Sequence, residues 1–228
     1  MLNIDPLANN SLFRGLNEND HNELSRISVS QEYSRGQTIF LEGQDGAGFY
    51  LVTSGLVKIY KLSLDGKEQI LHILGPGEPF AEVALFAGST YPANAMAIEK
   101  SSVVFFPRKA FSDLISKRPS LALNMLATLS LRLRQFANMV EALSLKEVPG
   151  RLAAYILLEN EERGKNGDIK LPIAKSQLAS LLGTIPETLS RILAKMTKQG
   201  IVTATGSSIS ILDMEKLQEL ADGETRLS

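Results

Sequence analysis

Glu187, Ser190 and Arg191 fall at i, i+3 and i+4, so one helix would carry a carboxylate, a hydroxyl and a guanidinium on one side of its first two turns. A helix that bunches polar side chains at its front suits the second helix of a helix-turn-helix, which presents such residues to base edges in the DNA major groove. Between residues 174 and 200, Lys175, Arg191, Lys195 and Lys198 stand against Glu187 alone. Phosphate neutralisation needs a local patch of this kind, and the net charge of −1 supplies no global field. Taken alone, the same lysines equally describe a solvated helix face.

Other chemistry is poorly provided for. The 228 residues include no cysteine, which excludes disulfides, thiolate zinc sites, cysteine-bound iron–sulfur clusters and a catalytic thiol. His21 and His72 are isolated and the Asp and Glu residues are scattered, so a metal enzyme of the cupin type is disfavoured. No Ser-His-Asp order, glycine-rich phosphate loop or paired carboxylate motif occurs. No enzyme is expected. Hydrophobic residues make up 44% of the chain, with no apolar run near membrane-spanning length and no basic-then-apolar leader at the start. A cytoplasmic protein with no membrane partner is the expectation.

The elements that must position residues 187–191 can be read backwards from them. Leu178, Leu181 and Leu182 recur at i, i+3, i+4, the mark of a helix with one buried face. Gly183 closes the turn after it, and the second helix buries Leu189, Ile192, Leu193 and Met196. A hairpin over 201–205 and 209–212, with a Gly206-Ser207-Ser208 turn, forms the wing of a winged helix. Upstream, Pro149 and Gly150 punctuate the start of a helix running to about residue 162, and residues 164–168 read as a turn.

Over 29–107 the pattern changes to short alternating runs broken by glycine, with strands expected at 38–41, 48–52, 56–62, 68–74, 93–98 and 102–106. Asp65-Gly66 marks a hairpin. Such strands without long helices between them imply an antiparallel barrel, roll or jelly-roll. A short helix is expected from residue 11 to about 27. From Pro119 onwards a long helix carries Leu126, Leu129, Leu133, Phe136, Val140 and Leu143 at spacings of 3, 4, 3, 4, 3, a seam for self-pairing into a homodimer. Leu123 and Leu131 offer a second stripe for packing on the barrel. The fold class is thus α+β: a β-roll sensing domain over 1–117, a dimerisation helix over 118–145 and a winged helix-turn-helix over 146–228.

With these parts in order, the chain resembles the Crp/Fnr family of bacterial transcription regulators. The motifs that carry the resemblance are GxxIFxEGxxxxxFYLVxSGxVKIY (36–60), FAEVALF (80–86) and SQLASLLGTIPETLSRILAKMTKQGIV (176–202). Within the family, PETLSR (186–191) looks most like the Dnr branch, which senses nitric oxide. The resemblance implies a homodimeric regulator, an activator or a repressor, with RNA polymerase as a further partner, that binds palindromic double-stranded DNA. Glu187, Ser190 and Arg191 match base-reading positions, while Lys175, Ser176 and Thr188 match backbone contacts. A glutamate can accept from cytosine N4 and an arginine can donate twice to guanine. Pro186 replaces an arginine of the cAMP-receptor branch, so the expected site is TTGAT…ATCAA rather than TGTGA…TCACA.

For the roll, the family's cyclic-nucleotide cassette implies a glutamate for the ribose and an arginine for the phosphate. Glu82 fills the first position, or simply places charge at a short helix start. Pro92 and Ala93 fall where the arginine and its neighbouring serine belong, which leaves a cyclic phosphate unpaired and disfavours cAMP. Haem is the candidate cofactor, with His72 or His21 as axial ligand. Phe80, Glu82, Phe86, Tyr91 and Met96, facing Leu129, would line an apolar cavity for haem or another flat effector, or equally fill a core. Effector entry would reorient the long helices about a hinge at 142–146. A constitutive DNA-binding regulator with a vestigial sensor domain is the alternative.

Overall fold

Backbone alternation, hydrogen bonding and turn chemistry build an N-terminal antiparallel β-roll, a long helix and a C-terminal winged helix-turn-helix in the computed structural model. The structure describes residues 10–13, 16–87, 90–162 and 167–227, and the chain divides into two compact units, Met1–Leu133 and Arg134–Ser228.

The roll consists of two four-stranded sheets. One has the order β1-β8-β3-β6 (Val29–Tyr33, Ser101–Pro107, Gly48–Ser54, Pro79–Phe80). The other has the order β2-β7-β4-β5 (Thr38–Phe40, Asn94–Ala97, Val57–Leu62, Glu68–Leu74). The strands β1 and β6 were not expected from the sequence. β1 reads as polar, because its residues are mostly exposed, and β6 is only two residues long. In β3 the side chains alternate between two cores. Tyr50 and Val52 point into the roll with Phe40, Val57, Phe80, Tyr91, Ala95 and Val103, while Phe49 and Leu51 join the helices outside it. Both faces are covered, so the strand reads as one continuous apolar run. Gly48 is required where β3 crosses β8, since a Cβ there would sit 2.1 Å from the Phe106 carbonyl oxygen. The β4–β5 hairpin closes through residues 63–67, with Gly66 at φ +81° and the Ser63 N–H donating to the Lys67 carbonyl at 2.9 Å.

Helices cover the outer face of the first sheet. The expected helix over 11–27 is instead a 3-10 turn at Ser11–Phe13 followed by α1, Glu18–Ile27. The break falls at Asn17, whose side chain accepts from the Asp20 N–H at 3.0 Å in a reciprocal capping box. The short α2 (Val83–Phe86) follows β6, and α3 (Arg108–Lys117) follows β8. The long helix α4, Pro119–Leu145, starts with proline in its first turn, where the missing N–H costs nothing. Arg118 Nε donates to the buried Asp20 carboxylate at 2.6 Å and so ties the start of α4 to α1. Leu121 and Met125 are the α4 residues buried in the outer core, and Asn124 Nδ2 donates to the Leu12 carbonyl at 3.1 Å. The expectation that Leu123 and Leu131 pack on the roll is therefore corrected: they are 67% and 61% exposed. The roll-facing positions are 121, 124, 125 and 132, and mixing apolar with polar residues there hides the stripe from a hydrophobic pattern.

In the second unit, α5 (Val148–Glu162) packs against α8 (Met214–Asp222); a Cβ on Gly150 would lie 3.0 Å from the Leu220 carbonyl oxygen. A three-stranded sheet runs β10-β11-β9 (Val202–Thr205, Ser208–Ile211, Asp168–Lys170). The wing hairpin turns through Gly206 and Ser207. Of the turn expected at 164–168, residues 164–166 lie outside the described residues, and Asp168 belongs to β9 instead. Buried Asn160 accepts from the Gly167 N–H at 2.9 Å, which fixes the approach to that strand. No helix of the described residues is long and apolar enough to cross a membrane.

Candidate nucleic-acid interface

Two helices around one glycine set the site. The first, α6 (Lys175–Leu181), buries Leu178 and Ala179, with Leu182 buried just beyond its end. Gly183 at φ +66° then turns the chain, and the Thr184 N–H closes back on the Ala179 carbonyl at 2.9 Å. The second helix, α7 (Pro186–Lys198), has proline at its first position and buries Leu189, Ile192, Leu193 and Met196.

The opposite face of α7 is bare. Glu187, Ser190, Arg191, Ala194 and Lys198 are exposed and recur at helical spacing. Hence the three expected base-reading residues share one accessible stripe that begins in the first turn. Lys195 is exposed beside the stripe, and Thr188 is half-buried. On α6, Lys175 is half-buried and Ser176 exposed at the start of the helix. Ile185 escaped sequence reading. It holds the N-cap position of α7 while 51% exposed, and its side chain cannot accept from the first-turn N–H groups. The wing tip over 205–208 is exposed and carries hydroxyls without any charge.

The roll interior is filled by its own rings. Phe40 stacks on Tyr91 at 3.9 Å between centroids, and Tyr50 stacks on Phe80 at 5.0 Å. The Tyr91 hydroxyl donates to the Gly48 carbonyl at 3.2 Å. Burial, with Tyr91 alongside, pushes the Tyr50 phenol pKa up, so that group stays neutral. Of the expected effector residues, Phe80 and Tyr91 belong to this cluster, Met96 and Leu129 are half-buried, and Phe86 is 52% exposed. The six thus differ in burial, from the core rings Phe80 and Tyr91 to the exposed Phe86.

Glu82 has a partner that the sequence did not reveal. Its carboxylate, buried before α2, accepts from Arg132 Nη1 of α4 at 2.5 Å, and Arg132 Nη2 donates to the Pro79 carbonyl at 2.7 Å. The guanidinium is thereby committed to protein groups. Pro92 and Ala93 add neither charge nor side-chain donor, so these residues do not fit a cyclic phosphate. The two candidate haem ligands lie apart. His72 Nε2 lies 3.3 Å from Glu78 Oε1, while His21 on α1 has a buried Nδ1 without a hydrogen-bond partner. Among the described residues no group of three or more His, Cys, Asp or Glu could hold a metal ion.

Comparison with known proteins agrees with both halves. Residues 30–118 match the cyclic nucleotide-binding domain family, and residues 150–220 match the Crp-like helix-turn-helix domain family. The chain is 30% identical over 219 residues to the CRP-like cAMP-activated global transcriptional regulator of Mycobacterium tuberculosis, covering 94% of this chain and 98% of that protein. It is also 30% identical over 216 residues to the fumarate and nitrate reduction regulatory protein of Escherichia coli, covering 92% and 86% respectively. The structure of FixK2 from Bradyrhizobium japonicum aligns with a TM-score of 0.74 at 26% identity, over 85% of this chain and 97% of that one. With a cyclic nucleotide-binding-type roll, a Crp-like helix-turn-helix and relatives matched over nearly its whole length, this chain belongs to the Crp/Fnr family of transcription regulators.

Proposed function

We propose that the protein is a homodimeric regulator that binds a TTGAT…ATCAA-like palindrome, with Glu187, Ser190 and Arg191 reading bases. In this reading Lys175, Ser176 and Thr188 hold the DNA backbone. The observation that carries it is the bare polar stripe on α7, opposite four buried apolar residues and starting at Pro186. Glutamate and arginine four residues apart can address neighbouring base pairs, and proline at the preceding position offers no further donor. The exposed α4 seam, with Leu126, Leu133 and Val140 at 58%, 71% and 63%, supports pairing with a second copy that duplicates the stripe. RNA polymerase is the further partner of an activator in this scheme. The test is fluorescence anisotropy on TTGAT…ATCAA, TGTGA…TCACA and scrambled duplexes. Preference for the first supports the reading; equal binding to all three rejects it.

For the effector, the likeness to the Dnr branch supports haem with nitric oxide. The packing of the roll supports a second reading, a regulator that binds DNA constitutively, because Phe40, Tyr50, Phe80, Tyr91 and the Glu82–Arg132 pair occupy the space an effector needs. An absorbance spectrum after haem addition, followed by DNA binding with and without nitric oxide, separates the two. A Soret shift with nitric oxide-dependent affinity supports the first, and the absence of both supports the second.

A further inference from the structure

Within the second unit, an open cleft of about 620 Å³ lies between the end of α4, the first turn of α5 and the side of α7. Its charged lining is unbalanced. Lys146, Arg151, Arg191 and Lys195 face one acid among the described lining residues, Glu147. That acid lies 3.7 Å from Arg226. Lys146 donates to the Ala221 carbonyl at 2.7 Å, which satisfies a donor without cancelling the charge.

Arg151 is the unusual member. One arm, Nη1, donates to the Leu143 carbonyl at 3.2 Å, but Nε is shut from solvent and has no hydrogen-bond partner. Buried guanidinium N–H groups are rarely left unsatisfied, since nothing replaces the water they lose. Burial also lowers the Arg151 pKa, as for a cation lacking a counter-charge. A guanidinium whose charge no acid offsets, beside three further cations and the Thr188 hydroxyl, matches the negative charge and several acceptor oxygens of a phosphoryl group.

We propose that this cleft is a phosphoryl-anion site in which Arg151 and Lys195 hold the anion beside the recognition helix. Arg191 and Thr188 reach the same cleft, so the inference rests on the DNA-binding reading of α7. The phosphoryl group comes either from the DNA backbone or from a free phosphate-bearing ligand, which would compete with DNA for Arg191.

The test uses the full chain and its Arg151→Gln and Lys195→Gln variants. Lys195 is exposed, so the second variant keeps the test valid where loss of half-buried Arg151 impairs folding. Binding to palindromic and random duplexes is measured across a salt series, with methylphosphonate substitution scanned along each half-site. Inorganic pyrophosphate is titrated separately without DNA. A backbone source predicts several-fold weaker binding to both duplexes, with a salt slope lower by about 1 for each chain bound. It also predicts one methylphosphonate position per half-site that weakens the parent but not the variants. A free source predicts saturable pyrophosphate binding that both variants lose, with unchanged DNA salt slopes. Unchanged slopes together with no pyrophosphate binding overturn the proposal. Loss of palindrome preference in the parent chain would instead overturn base reading, since the slope on random DNA still reports the cleft.

Discussion

Arg191 projects from the second turn of α7, exposed and without an ion pair among the described residues, so its donors are free for a base edge. Arg191→Ala should cost roughly 1–3 kcal/mol on the palindrome and relax preference at one base pair per half-site. Lys175→Ala should weaken all duplexes about equally and lower the salt slope by about 1. Anisotropy on specific and random DNA checks both, and equal losses everywhere for both variants would refute the division of roles. A second residue stores strain. Ala81, at φ +65°, is the non-glycine residue with positive φ among those described, and it directly precedes Glu82. Ala81→Gly should therefore raise thermal stability, by roughly 0.5–1 kcal/mol, because glycine enters that region without the Cβ clash. Urea unfolding reads the change. Glu187, Ser190 and Arg191 were legible in the sequence because the spacing of one helix fixes their common face. Arg151 and Arg132 were not, since their surroundings come from segments that only the tertiary fold brings together.

Among the elements, the junction of β6, α2 and α4 depends on the Glu82–Arg132 pair. With side chains 9% and 15% exposed, the pair cannot lose one member cheaply. Arg132→Met should destabilise the roll by about 3–5 kcal/mol, whereas adding Glu82→Gln should recover much of the loss, because the unpaired buried carboxylate is then gone. Additive losses in chemical unfolding would contradict this. The β5–β6 turn supplies a pH test. Burial alone would raise the Glu78 pKa, but the His72 side chain and the Gly75 N–H, which donates at 2.7 Å, outweigh it and hold the carboxyl below its ordinary value of 4.5. A lowered folded-state pKa contributes stability that is present above the unfolded value and lost as pH falls through the folded one. Glu78→Gln should thus flatten the acid limb of stability below about pH 4.5, as followed by circular dichroism melts. Hairpin and helix signals such as Asp65-Gly66 and the leucines of α6 were readable locally. The strands β1, β6 and β9 were not, because their side chains are polar or their runs too short to show a period.

For the whole molecule, the order of roll, long helix and winged helix-turn-helix was legible because hydrophobic period changes from two to between three and four along the chain. The proposed α4 seam rests on the same period, and Leu126, Leu133 and Val140 are uncovered in the single chain. Charge placed there should split the proposed dimer. Leu133→Glu with Val140→Glu should move the sedimentation equilibrium from two chains toward one and weaken palindrome binding by at least 100-fold, a rough bound from the loss of effective concentration. Retained dimers would show that the seam lies elsewhere. What the period could not reveal is how the roll is filled, since ring stacking and the Glu82–Arg132 pair arise from contacts between distant strands and α4. The most direct measurement is anisotropy at fixed salt on TTGAT…ATCAA and on the same duplex scrambled, with stoichiometry taken from the saturation point. Two chains per duplex and a preference of about 10³-fold or more are predicted. One chain per duplex, or equal affinity for both sequences, would contradict a dimer that reads a palindrome through Glu187, Ser190 and Arg191.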